Sequence, residues 1–347
     1  MRTFASARMR VGVAAAAVIA VGVLAGCSST TSGTDVVDQG TTEEENTATG
    51  DTVVIGFSGP AADHGWLGAI NSGAIAAAES FGDVDLRVAE GTNDAAAQIA
   101  YVETFINEGV DAIVLLPTDG AALTEVAIQA MAAGIPVINV DREFSSPFAA
   151  RATILGDNYG MGVSAGTYIC EQLGGQSDAV VAEIAGIDSL PLTQDRSEGF
   201  ADALSDCGLE VTARVAADFT VQGGEAAASQ LLSANPQIDA IWNHDDDQGI
   251  GVLAAITSAG RDEFFMMGGA GSRNAMEAIQ ADDTVLKATV IYPSTQAADG
   301  ISLARLIAQG KTMSDLITPG VPRRIVLDAP VVTKDNVAEF IDLSFES

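Results

Sequence analysis

Val110-Asp111-Ala112-Ile113 and Ile238-Asp239-Ala240-Ile241 are two versions of one short phrase, and they stand at matching places in the chain. Each follows an amphipathic helical stretch: Ile99, Val102 and Ile106 closed by Gly109 before the first, residues 222–234 before the second. Each opens an apolar strand that runs into an acidic loop, Thr118-Asp119 in one case and Asp245-Asp246-Asp247 in the other. A helix and a glycine follow in both, Gly134 and Gly260. Strands alternating with helices in this cadence are βαβ units, and unbroken apolar strands such as Ala112–Leu116 belong to parallel sheets covered on both faces. The repeat predicts two similar α/β lobes, each a doubly wound parallel sheet. Ligands of open parallel sheets bind beyond the carboxyl ends of the strands, so two such lobes facing each other enclose a cleft.

Outward from the first phrase, Val53–Phe57 reads as a buried strand ended by Ser58-Gly59-Pro60. Leu67, Ile70, Ala74, Ala78 and Phe81 then recur at helical spacing, and Leu86-Arg87-Val88 is the next strand. Downstream, a helix over Ala121–Ala133 closes at Gly134-Ile135-Pro136 before the strand Val137–Val140. The pattern restarts after Asp157-Asn158. Strands are expected near 179–185, 210–215, 239–243, 264–267 and 286–291, and helices near 159–173, 194–206, 222–234, 247–259 and 273–281.

The 347 residues are 48% hydrophobic and 18% charged, ample for a folded core and long enough for two domains. Sixteen basic residues against 47 acidic ones give a formal net charge of −31. That balance excludes nucleic-acid binding, and it restricts membrane attachment to hydrophobic or covalent means. Residues 1–26 differ from the rest. Arg2, Arg8 and Arg10 precede an apolar run of 14 residues, Val11 to Leu24, shorter than the ~20 a membrane span needs. The run ends in Leu24-Ala25-Gly26-Cys27, which looks like a bacterial lipobox. It predicts a signal peptide over 1–26, cleavage before Cys27, and lipid on the Cys27 thiol. Residues 28–50 are small, polar and acidic, so 27–50 is expected to be the lipidated cysteine and a disordered linker. With three Cys, two His and no CxxC pair, no metal and no cofactor are expected.

Further motifs extend the pattern: Gly56-Phe57-Ser58 with Gly65-Trp66, Gly134-Ile135-Pro136-Val137 running into Asp141-Arg142, Asp157-Asn158, Asp195-Arg196-Ser197-Glu198-Gly199-Phe200, and Ala217-Asp218-Phe219. Together with the repeated phrase, these resemble the type I periplasmic solute-binding proteins of ABC importers, in the ribose-binding-like group, over nearly all of 52–340. The resemblance implies three crossovers between the lobes, near Gly156-Asp157, Tyr292-Pro293 and Pro322-Arg323. The N-terminal lobe would then hold 51–156 plus 293–322, with a helix around 295–309, and the C-terminal lobe 157–292 plus 323–347. It also implies a monomer, held at the outer face of the cell membrane by its lipid, that captures a sugar or sugar alcohol without turnover. An ABC permease and ATPase complex would be its partner. The same fold and anchor would also serve a receptor that presents a sugar or autoinducer to a membrane signalling partner. An enzyme finds no support in GxSxG, HExxH or P-loop motifs, and a related transcription regulator would need a helix-turn-helix and a basic face.

Sugar hydroxyls both donate and accept, whereas a carboxylate only accepts and a guanidinium only donates, so a mixed set is needed. Asp141-Arg142 supplies such a pair at a strand end; the alternative is a surface ion pair. Trp66 either covers the apolar face of a sugar ring or packs on the core. Phe219 matches an aromatic position of the family motif and would cover the other face. Asp63 and His64 share the first loop and suit rim hydrogen bonds. The acids Asp245 to Asp247 complement a helix start, and Asp245 falls where the family contacts ligand. Ser58, Gln194, Arg196 and Tyr292 complete the implied set. The family's ribose binders carry Arg, Asn, Asp and Gln where this chain has Gln194, Asp245, Ala270 and Tyr292. These departures favour a different pentose, a sugar alcohol or a cyclitol over ribose. Cys170 and Cys207 lie on helices flanking one strand in an oxidising compartment, which suits a disulfide; two buried thiols are the alternative.

Overall fold

The computed structural model describes residues 40–314, 316 and 320–347. The expected signal segment 1–26, Cys27 and the first part of the expected linker lie outside these residues. Two six-stranded sheets are present. After the short α1 (Glu43–Thr47), the chain lays down β1 (Val53–Ser58), α2 (Gly65–Ser80), β2 (Val84–Val88), α3 (Ala95–Glu108), β3 (Ala112–Leu115), α4 (Gly120–Ala132), β4 (Val137–Val140) and β5 (Ala152–Gly156). It then crosses to the second lobe with α5 (Asn158–Leu173), β6 (Val181–Ala185), α6 (Pro191–Asp206), β7 (Val211–Ala216), α7 (Val221–Ala234), β8 (Ala240–Asn243), α8 (Asp246–Ala259), β9 (Phe265–Ala270), α9 (Arg273–Ala281) and β10 (Leu286–Ile291). The chain returns with α10 (Gln296–Ala308) and β11 (Arg324–Leu327), then crosses a last time to β12 (Val331–Thr333) and α11 (Val337–Phe340).

The strand orders are β11-β5-β4-β3-β1-β2 and β12-β10-β9-β8-β6-β7. All pairs are parallel except β10 with β12. In both sheets the order reverses beside the first strand of the lobe, the kind of switch point where ligands bind. The repeated phrase has a physical cause. Asp111 takes the Val54 N–H onto its carboxylate at 2.7 Å while its own N–H donates to Val54 O. Asp239 does the same with Val180, also at 2.7 Å. Each aspartate thus fastens the start of a strand to its neighbour, satisfying a backbone donor that the ladder would leave open.

The cores are apolar strand faces under helices. Ile55, Phe57, Val114 and Ile138 lie beneath α2 and α10 in the first lobe, and Ile184, Ile241, Met266 and Leu231 pack in the second. Side chains of this size each contribute roughly 1.5–3 kcal/mol when fully buried. Cys170 on α5 and Cys207 at the end of α6 are joined by a disulfide with their Cα atoms 6.2 Å apart.

Two boundaries differ from expectation. The passage near 322–323 comes one strand later, because β11 adds to the first sheet beside β5 and the chain crosses only at Asp328–Pro330. The first lobe therefore takes 324–327, and 323–347 is not a block of the second. Residues 40–50 are not a disordered linker. Thr42 and Glu45 form a capping box on α1, and the buried Arg305 draws the segment in. Its guanidinium donates to Asn46 O at 2.6 Å, to Ala48 O at 2.8 Å and to both oxygens of Asp83. A buried guanidinium needs acceptors on several edges, and the polar segment supplies backbone carbonyls that composition does not reveal.

Candidate functional site

The cleft lies where the strands of both sheets end. The first lobe contributes His64 and Trp66 after β1, and Asp141 and Arg142 after β4. The second contributes Leu192 and Arg196 from α6, Phe219 after β7, Asp245 before α8 and Ala270 at the end of β9. Tyr292 joins them from the second passage between lobes. Together these residues line a cavity whose non-atom space, open solvent included, is about 350 Å³. Asp141, Arg142 and Leu192 also wall an adjoining chamber.

Close helix packing places Arg196. A Cβ at Gly162 of α5 would stand 2.0 Å from Arg196 O, and one at Gly199 of α6 2.2 Å from Tyr159 O, so the two backbones touch. That contact lays Arg196 beside Asn158. Arg196 Nε donates to Asn158 Oδ1 at 2.9 Å, and Nη1 donates to His244 O at 3.1 Å. Asn158 Nδ2 donates to the Tyr292 hydroxyl at 3.1 Å, and that hydroxyl donates to Asp141 Oδ1. The chain of hydrogen bonds runs from one lobe to the other through two of the passages. Arg196 Cζ also lies 4.4 Å from the Tyr292 ring centre, a cation–π distance.

Arg142 is steadied by donation from Nη1 to Thr118 O at 3.0 Å, and its buried Nε has no hydrogen-bond partner among the described residues. Asp245 is the N-cap of α8: Oδ1 accepts from Gln248 N at 3.0 Å. Gln248 in turn accepts from Phe219 N at 3.0 Å and donates to Asn243 Oδ1 at 2.7 Å, fixing the aromatic wall. Asp246 turns the other way. Its carboxylate accepts from Gly269, Gly271 and Ser272 N–H and from the Thr289 hydroxyl, which shapes the turn carrying Ala270.

Burial dominates the electrostatics. It raises the Asp141 carboxyl above the usual range, against the pull of Arg142, Tyr292 and Arg196. It raises Asp245 well above that range, with help from the charges of Asp247 and Asp246. Asp246 is pushed up to about 7 by burial despite its backbone donors. Burial likewise lifts the Tyr292 phenol, aided by the Asp141 charge, and lowers the imidazole of His244. Desolvated groups of this kind are favoured in the charged form when a ligand donates to them. The site therefore offers acceptors on Asp141 and Asp245 and donors on Arg142 and Arg196, over the rings of Trp66, Phe219 and Tyr292.

Nine of the eleven residues named from sequence gather here or at the rim. His64, Trp66, Asp141, Arg142, Arg196, Phe219, Asp245 and Tyr292 line the cavity. Asp63 stands just outside, exposed, with Oδ1 2.7 Å from His64 Nδ1 and Oδ2 accepting from Asn93. Two lie elsewhere. Ser58 is fully buried behind the strand end, where its hydroxyl accepts from Gln98 Nε2 at 3.3 Å. Gln194 is exposed and donates to Asp188 O at 3.1 Å, because α6 starts at Pro191 and turns position 194 outward. Leu192 occupies the cavity from that same turn. Trp66 satisfies both of its alternatives: it lines the cavity, and it packs on Tyr292, donating from Nε1 to Tyr292 O at 3.2 Å. Among the described residues there is no cluster of three or more His, Cys, Asp or Glu that would hold a metal ion.

Comparison with known proteins agrees with this architecture. Residues 55–312 match the periplasmic binding protein domain. The ribose import binding protein of Bacillus subtilis (strain 168) is 33% identical over 221 residues, which is 62% of this chain and 70% of that protein. The D-apiose import binding protein of Actinobacillus succinogenes is 29% identical over 267 residues, 76% of this chain and 84% of its own. A crystal structure from Mycobacterium smegmatis in complex with beta-D-fucofuranose superposes with a TM-score of 0.75 at 26% identity, covering 84% of this chain and 94% of that one. The ribose and D-apiose relatives are named as import binding proteins, not as enzymes.

Proposed function

Because the chain belongs to the periplasmic binding protein family, with the two-lobed type I fold, we propose that it captures a small sugar or sugar alcohol in the cleft and delivers it unchanged to an ABC permease and ATPase complex. The observation that carries this reading is the pairing of opposite chemistries across the cavity. Asp141 and Arg142 of one lobe face Arg196 and Asp245 of the other, each lobe bringing one acceptor and one donor. A polyhydroxylated ring needs both kinds, and its C–H faces suit the aromatic walls. The relatives named for ribose and apiose, and the one that holds fucofuranose, support a monosaccharide of this size. The Leu24-Ala25-Gly26-Cys27 phrase supports a protein kept outside the cytoplasm by lipid on Cys27. Release of a Cys27→Ser protein from the membrane fraction tests the anchor.

A thermal-shift screen of pentoses, hexoses, sugar alcohols and cyclitols against the purified protein tests the binding. A ligand held only by the folded state stabilises it by about 2.7 kcal/mol at one hundred times its Kd. At least one compound should raise the melting temperature in proportion to the logarithm of its concentration and be recovered unaltered. Arg142→Ala should abolish that rise at the same concentration. A panel with no stabilising member, or a hit that is chemically converted, would overturn the proposal.

A further inference from the structure

Helix α2 begins without a cap of its own. The first four N–H groups of any α-helix lack partners inside the helix, and a Ser, Thr, Asp or Asn at the N-cap normally accepts one of them. Here the N-cap is His64, whose side chain makes no capping hydrogen bond and is paired with Asp63 instead. The acceptor comes from the opposite lobe. Asp247, in the first turn of α8, takes the Gly65 N–H onto Oδ2 at 2.8 Å. Asp247 is only 5% exposed. The junction is tight: a Cβ at Gly65 would stand 3.0 Å from Asp247 Oδ2 and 2.7 Å from Ser347 Cα. The residues on either side of Gly65, His64 and Trp66, both line the ligand cavity, whereas Asp247 does not.

We propose that Asp247 is a positioning residue that caps α2 across the cleft, so that closing the lobes completes the helix that carries His64 and Trp66. This goes beyond the binding role and holds with the cleft unliganded. When the lobes part, the Gly65 N–H must find water; when they meet, it regains a carboxylate. A cap of this kind shifts an equilibrium roughly 2- to 30-fold, here the one between open and closed lobes. The device also explains why three consecutive acids stand in one helical turn. Asp245 faces the cavity, Asp246 holds the Ala270 turn, and Asp247 reaches the other lobe.

The test uses the full mature protein without any sugar, comparing the parent with Asp247→Ala and Asp247→Asn by small-angle scattering and amide hydrogen exchange. Asparagine keeps an acceptor oxygen in nearly the same shape, so it also stands in if the alanine protein fails to fold. Asp247→Ala should speed exchange at Gly65 by roughly 2- to 30-fold and enlarge the radius of gyration, with Asp247→Asn restoring most of both. A role confined to the stability of α8 would instead speed exchange within α8 and leave the radius unchanged. Equal exchange at Gly65 in all three proteins, or a parent already as expanded as the alanine protein, would overturn the proposal.

Discussion

Asp141, Phe219 and Ala270 hold φ angles of 62°, 69° and 109°, and all three line the cavity. Among the described non-glycine residues only Asp282 shares the left-handed region with them. Asp tolerates it, but for an alanine or a phenylalanine it costs about 1–2 kcal/mol, and such strain collects at functional sites. Ala270→Gly should therefore raise ligand-free stability, by about 0.5–1 kcal/mol once the greater entropy of unfolded glycine is counted. Urea unfolding of the two proteins measures it, and a destabilised glycine variant would show that the turn is not strained. This strain was invisible in the sequence, because no local pattern marks an alanine that Asp246 has bent into place. The charged pair Asp141-Arg142 was legible for the opposite reason, since charge at the end of an apolar strand has few places to go. Ser58 and Gln194 were misplaced because one position along a strand end or a helix turn reverses the direction a side chain faces.

At the scale of elements, the strands and helices with clear apolar periodicity were legible, and three short strands were not. β5, β11 and β12 each have five residues or fewer, and β11 alternates exposed and half-buried positions, so little distinguishes them from loops until neighbours pair with them. That is why the last passage between lobes was expected one strand early. The disulfide belongs to this scale too. It joins α5 to the end of α6 over a separation of 37 residues, a loop length for which the chain-entropy picture gives about 4 kcal/mol. Replacing Cys170 and Cys207 together by Ser should cost about 2–4 kcal/mol in reversible unfolding. Because α6 carries Arg196 and Leu192, the same double variant should also loosen that wall. Unchanged stability would mean that the helices are held by packing alone.

For the molecule as a whole, the four buried carboxyls of Asp141, Asp245, Asp246 and Asp247 are all raised by desolvation. The sign follows from linkage. A carboxyl whose folded pKa is raised keeps a proton that the unfolded chain has already released, so stability falls as pH rises from about 4 through the folded value, about 7 for Asp246. The net charge of −31 acts in the same direction, since protonation relieves repulsion. Asp83, held far below the ordinary range by its hydrogen bond from Arg305, acts oppositely, and only once the pH drops below about 4. Calorimetry should place the highest melting temperature at about pH 4 to 5 rather than at pH 8, and Asp246→Asn should flatten the decline above it. A maximum at pH 8 would contradict this ordering. The interleaved path of the chain has a further consequence, for biosynthesis. The first sheet lacks its edge strand until Leu327 has been made, and the second lacks β12 until Thr333. A growing polypeptide thus carries β1 to β5, complete at Gly156, until α10 arrives at Gln296 to cover them. Neither lobe can finish folding on the ribosome while the other is being synthesised. Such distant partners make folding slow, and a slow folder stays threadable through a narrow export channel for longer.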